Sequence, residues 1–411
     1  MESSTGPPPV STTTRTDKAA GVPIGTIHTV AGCGEDGLYG DGGKATEAKL
    51  SQPFGLTVSG GGNKRIFLAD TVNCRIRVVD VSTGTIHSCV GTGLSGFEGD
   101  GGRAISCRLY WPYGVSTPPR AADVLYIADT RNQRIRRVDL REGTIRSIAG
   151  VSEDEGKDEG PAMQCLLRRP TGLVATADNA LLYVSDSHNN KIRCLDIKNG
   201  RLRTLAGSGP SLTKKGSKAS RAFSKSESGI AATFQYPTGV ALNSTGSTLY
   251  VADQLNHQIK AVNTKTGEVS VVAGSGEGGL SGDGGPAHEA ELQKPTGVAV
   301  SADDSRLYIA DRRNFVVRMV TLKEKEEAFI TTVAGTGSEG DAADGTAADK
   351  AGLDGPSDVC TDMGEGGSGE VVYIADCDNH TIRRLAWQAA AAASPAGGPA
   401  RRTSVPTVQL F

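Results

Sequence analysis

Apolar and polar positions alternate along this chain in short runs, and one such run recurs six times. The copies read IFLADTVNCRIR, LYIADTRNQRIR, LYVSDSHNNKIR, LYVADQLNHQIK, LYIADRRNFVVR and VYIADCDNHTIR. Each ends an apolar stretch on an acid: Asp70, Asp129, Asp186, Asp253, Asp311 and Asp376. Period-two alternation in residues of this kind predicts strands. Upstream of each Asp a Pro opens a second apolar run (PFGLTV, PYGVST, PTGLVA, PTGVAL, PTGVAV, PSDVCT), and downstream a β-branched run closes on Gly, as in TIRSIAG. The Asp residues are 57 to 67 positions apart, so each unit holds four strands: a after the Pro, b ending in Asp, c from the Ile-Arg pair, and d ending in Gly.

A strand unit repeated at this period cannot bury both faces of its sheet alone, and units stacked around a ring form a propeller. The last c strand, IRRLAW at 382–387, has no d strand after it, whereas TIHTVAG at 26–32 stands alone ahead of Pro53. The expected fold is therefore all-β: a six-bladed β-propeller with four antiparallel strands per blade, closed by the N-terminal strand completing the last blade. Closure removes the exposed edge that an incomplete blade would leave. The expected boundaries are a disordered tail at 1–23, the propeller at 24–388 with blades starting near 53, 112, 170, 237, 295 and 356, and a disordered tail at 389–411. Pro, Ser and Thr bias and an alanine run mark those tails.

The d-to-a junctions carry a second signature, as in GDGGKATEAKLSQP, GDGGRAISCRLYWP and GDGGPAHEAELQKP. A Leu lies three residues before the Pro and an Asp nine before that Leu, giving Asp41, Asp100, Asp158, Asp283 and Asp344. The junction before Pro237 puts Lys225 and Phe234 in those places. Together the two motifs resemble the NHL-repeat family of six-bladed propellers, in particular its GDGG-bearing branch, over most of the chain. The resemblance implies a binding role. NHL propellers of some animal regulators bind single-stranded RNA on a basic face and others bind protein. Some propellers of related architecture are lyases or hydrolases that hold a metal in the central channel with His, Asp and Glu.

Composition narrows the choice. The net charge of −2 gives no general attraction to polyanions. No apolar run approaches membrane-spanning length. The eight cysteines sit singly, without a C-x-x-C pair, as expected of buried free thiols in a reducing compartment. A monomeric ring in the cytoplasm, without membrane contact, is the expectation, and no cofactor is indicated.

Candidate chemistry is sparse. The cation seven after each Asp (Arg77, Arg136, Arg193, Lys260, Arg318, Arg383) could form a phosphate-binding ring, but the b–c hairpin favours a cross-strand ion pair with its own Asp. Asn73 and its counterparts fit turn positions that tolerate positive φ. In the GDGG loops Asp36 and Asp41 are the best pair for calcium, though one loop offers few converging oxygens. Strand alternation puts Gly55 and Thr57, Gly114 and Ser116, and their counterparts on the channel side, with Asp358 standing where five blades have Gly. The six histidines do not cluster, with His188, His257 and His380 on b–c turns of different blades, so no catalytic metal site is indicated. Counting passes of the chain places the d–a and b–c loops on one face. There the longest insert, 208–230, carries Lys214, Lys215, Lys218, Arg221 and Lys225. These five cations, with Trp111 and Tyr113 beside the loop before strand a and Tyr236 two blades on, are the candidate partner-binding residues. The expected function is a non-enzymatic scaffold for a protein partner on that face. RNA binding through the basic insert is the alternative, and a metal-dependent lyase or hydrolase the second.

Overall fold

The computed structural model describes residues 25–60, 63–151, 156–209, 229–322, 327–363 and 370–387. Six sheets follow one another around a ring. Blade 1 is built from Pro53–Val58, Arg65–Asp70, Arg75–Asp80 and Thr85–Val90, as strands a to d in that order. Blades 2 to 5 repeat the pattern from inner strands Pro112–Ser116, Pro170–Ala175, Pro237–Leu242 and Gly297–Val300. In blade 3 a two-residue strand, Gly160–Pro161, is added outside strand d. Blade 6 takes Pro356–Met363, Glu370–Asp376 and Thr381–Trp387 from the C-terminal side and Gly25–Ala31 as its outer strand. That outer strand pairs antiparallel with Thr381–Trp387, Gly25 opposite Trp387 and Ile27 opposite Leu385. The ring is thus closed by strand pairing, as the orphan d run predicted.

The core lies between blades. Leu56, Ile66, Leu68, Val79 and Ile86 of blade 1 pack with Ala31, Tyr373, Ala375 and Ile382 of blade 6, and equivalent clusters fill the other spaces. Around the axis the inner strands nearly touch. A Cβ added to Gly55 would strike the carbonyl of Tyr113, and one on Gly114 that of Thr171. Only glycine permits this approach. The expected channel side of strand a thus turns towards the inner strand of the next blade, and Ser116 follows it by accepting from the Ala175 N–H at 3.2 Å. Hydroxyls tie the blades at the same level: Thr71 donates to the Pro112 carbonyl at 2.8 Å, Thr130 to that of Pro170 at 2.7 Å and Ser187 to that of Pro237 at 2.5 Å.

All eight cysteines are free. Five are buried, while Cys33 is exposed and Cys89 and Cys360 are intermediate, so the expectation of buried thiols holds for most of them. No helix among the described residues is long and apolar enough to cross a membrane.

Candidate functional site

Each repeated Asp anchors a node that holds the loop face together. Its Oδ1 accepts the backbone N–H two residues before the strand-a Pro at 2.7–2.8 Å in all six blades. Its Oδ2 accepts the side-chain amide of the Asn three residues on at 2.7–2.9 Å. That Asn amide also reaches the d–a loop, donating to the carbonyls of Gly37, Gly96, Gly279 and Gly340. The Asn is therefore a cross-link. The left-handed turn position expected of it belongs to the next residue: Cys74, Gln133, Asn190, His257, Phe315 and His380 have φ of +51° to +56°.

The cation seven after each Asp is structural, as the hairpin geometry suggested, but its pairing is wider than expected. In blade 1 Asp70 lies opposite Arg75 and Leu68 opposite Arg77, so Arg77 approaches Asp70 along a diagonal. The Arg77–Asp70 distance is 3.9 Å, whereas Arg77 meets the loop residue Asp41 at 2.7 Å. Arg136 sits 3.0 Å from both Asp129 and Asp100. In blades 5 and 6 the short contact belongs wholly to the loop acid, Arg318–Asp283 at 2.6 Å and Arg383–Asp341 at 2.8 Å. In the last junction the register places Asp344 in the motif, yet Asp344 accepts from the Thr29 N–H and hydroxyl, and Asp341 takes the guanidinium. Burial drives the carboxyls of Asp70, Asp129, Asp186, Asp311 and Asp376 upward, against the hydrogen bonds and guanidiniums that pull them down.

Blade 4 shows how far the node can change. Among the described residues it has no loop acid, and its cation is the shorter Lys260. That ammonium bonds to Asp253 at 2.7 Å and to the Thr233 carbonyl at 2.7 Å, and lies 5.1 Å from the centre of the Phe234 ring. The two departures from the motif, Lys for Arg and Phe for Leu, meet in one contact.

Inside the nodes the segment before strand a is stapled twice to the b–c turn. The Asp takes its N–H, and a turn N–H donates back to the same residue's carbonyl, as from Val72 to Ser51, Arg131 to Tyr110 and Arg313 to Gln293. The residue between staple and Pro is left-handed in every blade: Gln52 (+47°), Trp111 (+48°), Arg169 (+48°), Tyr236 (+57°), Lys294 (+52°) and Gly355 (+58°). A non-glycine residue in this region costs about 1–2 kcal/mol, and five of these six positions carry one. Together they ring the mouth of the axis.

Trp111 and Tyr113 belong to this mouth. Tyr113 stacks on Phe54 with ring centres 4.5 Å apart. The Arg131 guanidinium lies 4.3 Å over Trp111, and Arg312 lies 5.4 Å over Phe54 while pairing with Asp378 at 3.1 Å. Tyr236 meets His188 at 5.2 Å. Burial and the Tyr236 phenol push the Tyr113 phenol up, while Arg131, Arg169 and Arg312 draw it down. Burial and the Arg168–Arg169 pair push the His188 imidazole down. Sequence reasoning named Trp111, Tyr113 and Tyr236 and did not name the neighbouring Arg131, Arg169, Arg312 and Phe54. The available signal was position, since these residues flank the Pro or follow the Asp.

The insert cations Lys214, Lys215, Lys218, Arg221 and Lys225 lie outside the described residues. Asp41, one of the calcium candidates, has its carboxylate engaged by Arg77, Arg75 and Ser88. Asp36 lies on a loop segment bridged to Leu50. No three His, Cys, Asp or Glu side chains cluster as metal ligands among the described residues. Asp358 turns to blade 1, where its Oδ2 accepts the Leu56 N–H at 3.0 Å.

Ring, nodes and closing strand define an NHL-type propeller. Residues 142–386 match the family model of the Teneurin NHL domain, and the chain belongs to the NHL-repeat family. It is similar to Protein SUPPRESSOR OF QUENCHING 1, chloroplastic, of Arabidopsis thaliana, with 28% identity over 309 residues, 75% of this chain and 28% of that protein. NHL repeat-containing protein 2 of Homo sapiens is 26% identical over 311 residues, 71% of this chain and 41% of its own length. The chain thus spans less than half the length of these relatives. Among solved structures, an auxiliary nutrient binding protein from Bacteroides thetaiotaomicron superposes with a TM-score of 0.62 over 90% of this chain and 78% of that one, at 15% identity. That likeness is one of fold.

Proposed function

We propose that the protein is a non-catalytic interaction scaffold that binds a partner protein on the face formed by the d–a loops and b–c turns. The carrying observation is the distribution of exposed apolar side chains. Leu38, Tyr39, Leu94, Phe97 and Leu280 stand on d–a loops, and Val72 and Leu255 on b–c turns. The Asn amides tie these two kinds of segment into one surface. Apolar groups held on rigid loops over a stapled ring suit protein recognition. The family supports this reading, since NHL propellers commonly serve as interaction domains.

The test is affinity purification of the intact protein from its native cells, with and without ribonuclease, alongside a bait whose five insert cations are changed to Ala. A discrete protein partner that survives ribonuclease supports the scaffold. Its loss with the altered bait assigns part of the contact to the insert. Recovery of RNA, or of proteins that vanish with ribonuclease, overturns the reading in favour of RNA binding.

A further inference from the structure

The inner rim of the loop face has a charge balance unlike that of the chain. It consists of the two residues before each strand-a Pro and the two after each repeated Asp. This rim carries Arg131, Arg168, Arg169, Lys294, Arg312 and Arg313 against only Asp354 and Asp378, in a chain whose net charge is −2. Both acids lie in blade 6, and Asp378 is bonded to Arg312. Arg131 and Arg169, in blades 2 and 3, have no carboxylate partner among the described residues. Arg131 lies instead over the Trp111 ring, 4.3 Å from its centre, and 5.7 Å from that of Tyr110. Stacking orients a guanidinium while leaving its N–H groups free to bind an oxyanion.

Aromatic groups share the mouth with these cations, and Arg131, Arg169 and Tyr236 all act on the Tyr113 phenol. Phe54, Tyr113 and Trp111 come from blades 1 and 2, and Tyr236 from blade 4. Trp111, Arg169 and Tyr236 all occupy the left-handed position before Pro, at φ of +48°, +48° and +57°. Where the blade 6 counterpart is Gly355, an added Cβ would collide with the Asp378 carboxylate and crowd Arg312. Five of the six strained positions therefore bear side chains, and the one glycine stands where the rim is acidic. Backbone strain of this sort persists where the fold over-determines it, and such residues cluster at ligand clamps.

We propose that this mouth binds an acidic peptide segment of a partner protein, seating a carboxylate or phosphate group between Arg131 and Arg169 beside Tyr113. The inference deepens the scaffold reading and rests on it for the source of the peptide. The geometry favours a short acidic segment over a nucleic-acid strand. Outside the rim the same loops expose Glu35, Asp36, Glu98, Glu277 and Glu339, so a polyanion leaving the mouth would run over acids, whereas the rim of blades 2 and 3 carries Arg131, Arg168 and Arg169 and no acid. The planar fork of Arg matches both oxyanions, and the choice between them is left to experiment.

The test uses the full chain and fluorescence anisotropy of fluorescein-labelled hexaglutamate, a hexapeptide with two phosphoserines, hexaglutamine and hexauridylate. Saturable binding of hexaglutamate is expected if carboxylate suffices, and of the phosphoserine peptide alone if the site demands phosphate; hexaglutamine should not bind. Arg131→Ala and Arg169→Ala should each weaken binding about tenfold, with melting temperatures close to the parent's. Arg141→Ala, which removes an exposed partner of Asp123 away from the rim, should leave binding unchanged. Arg131→Gln and Arg169→Gln serve if an Ala variant melts early. The proposal is overturned if neither acidic peptide saturates, if the Arg variants bind as the parent does, or if hexauridylate binds most tightly. Native-cell purification with the Arg131→Ala/Arg169→Ala bait separates the two readings. A partner recovered undiminished by that bait sinks the mouth and leaves the scaffold. Peptide binding with no protein partner from cells does the reverse.

Discussion

Asp358 offers the sharpest test of how the axis is packed. Five blades have Gly at this position of the inner strand and the sixth has a carboxylate. It is half-buried, accepts N–H groups from Leu56 and Val359, and has no cation among the groups acting on it. Burial raises its carboxyl from 3.8 to about 7. A shift of this size corresponds to about 4 kcal/mol at 1.36 kcal/mol per pH unit, or about 2–4 kcal/mol once the hydration kept on its accessible side is allowed for. Because the folded value is raised, the native state binds the extra proton. The contribution is fully present below about pH 4 and is lost as pH rises through about 7. Asp358→Asn keeps the shape and removes the titration. The measurement is urea unfolding of parent and variant at pH 4.5, 6 and 8, taking the difference at each pH so that all other titrating groups cancel. The variant should gain on the parent by about 2–4 kcal/mol between the lowest and highest pH. Parallel curves would refute the argument and show that the carboxylate is as well solvated as in the unfolded chain.

Other outcomes follow from the same contacts. Asp129→Ala leaves Arg136 fully buried without its inner partner and should cost about 3–5 kcal/mol in urea unfolding. Gly114→Ala drives a methyl group into the Thr171 carbonyl of the next blade and should cost about 3 kcal/mol or more. Gly143→Ala, at φ +65° with nothing within 4 Å, should cost only about 1 kcal/mol; equal losses would contradict the close approach at the axis. Lys294→Gly relieves a left-handed exposed residue at φ +52° and should raise stability by about 1 kcal/mol in the same assay.

The ring was legible because each strand carries its own alternation and each turn its own punctuation. The Asp-to-cation pairing was legible too, because seven residues span one hairpin. The second partner of that cation was not: Asp41 precedes Arg77 by 36 residues and arrives through a loop that hairpin reasoning does not reach. The left-handed turn residue was assigned to Asn because Asn tolerates that conformation. Its actual occupants, from Cys74 to His380, share no chemistry that would reveal it. The mouth was half visible. Trp111 and Tyr113 stand out as aromatics, whereas Arg131, Arg169 and Arg312 come from different slots of three blades and become a cluster only when the ring closes. The side-chain direction of strand a was misjudged because alternation gives two faces without saying which one meets a neighbouring blade.

The closing strand also governs how the ring responds to force. Gly25 pairs with Trp387, so the chain enters the last blade and leaves it at the same end of one antiparallel pair. Opposed pulls on the two ends would load a single bridging bond at a time and peel Gly25–Ala31 away from Thr381–Trp387 like a zip, instead of shearing the whole pair at once. Tension carried between neighbouring segments of a longer polypeptide would thus open blade 6 first, while the five blades made from continuous sequence still stood.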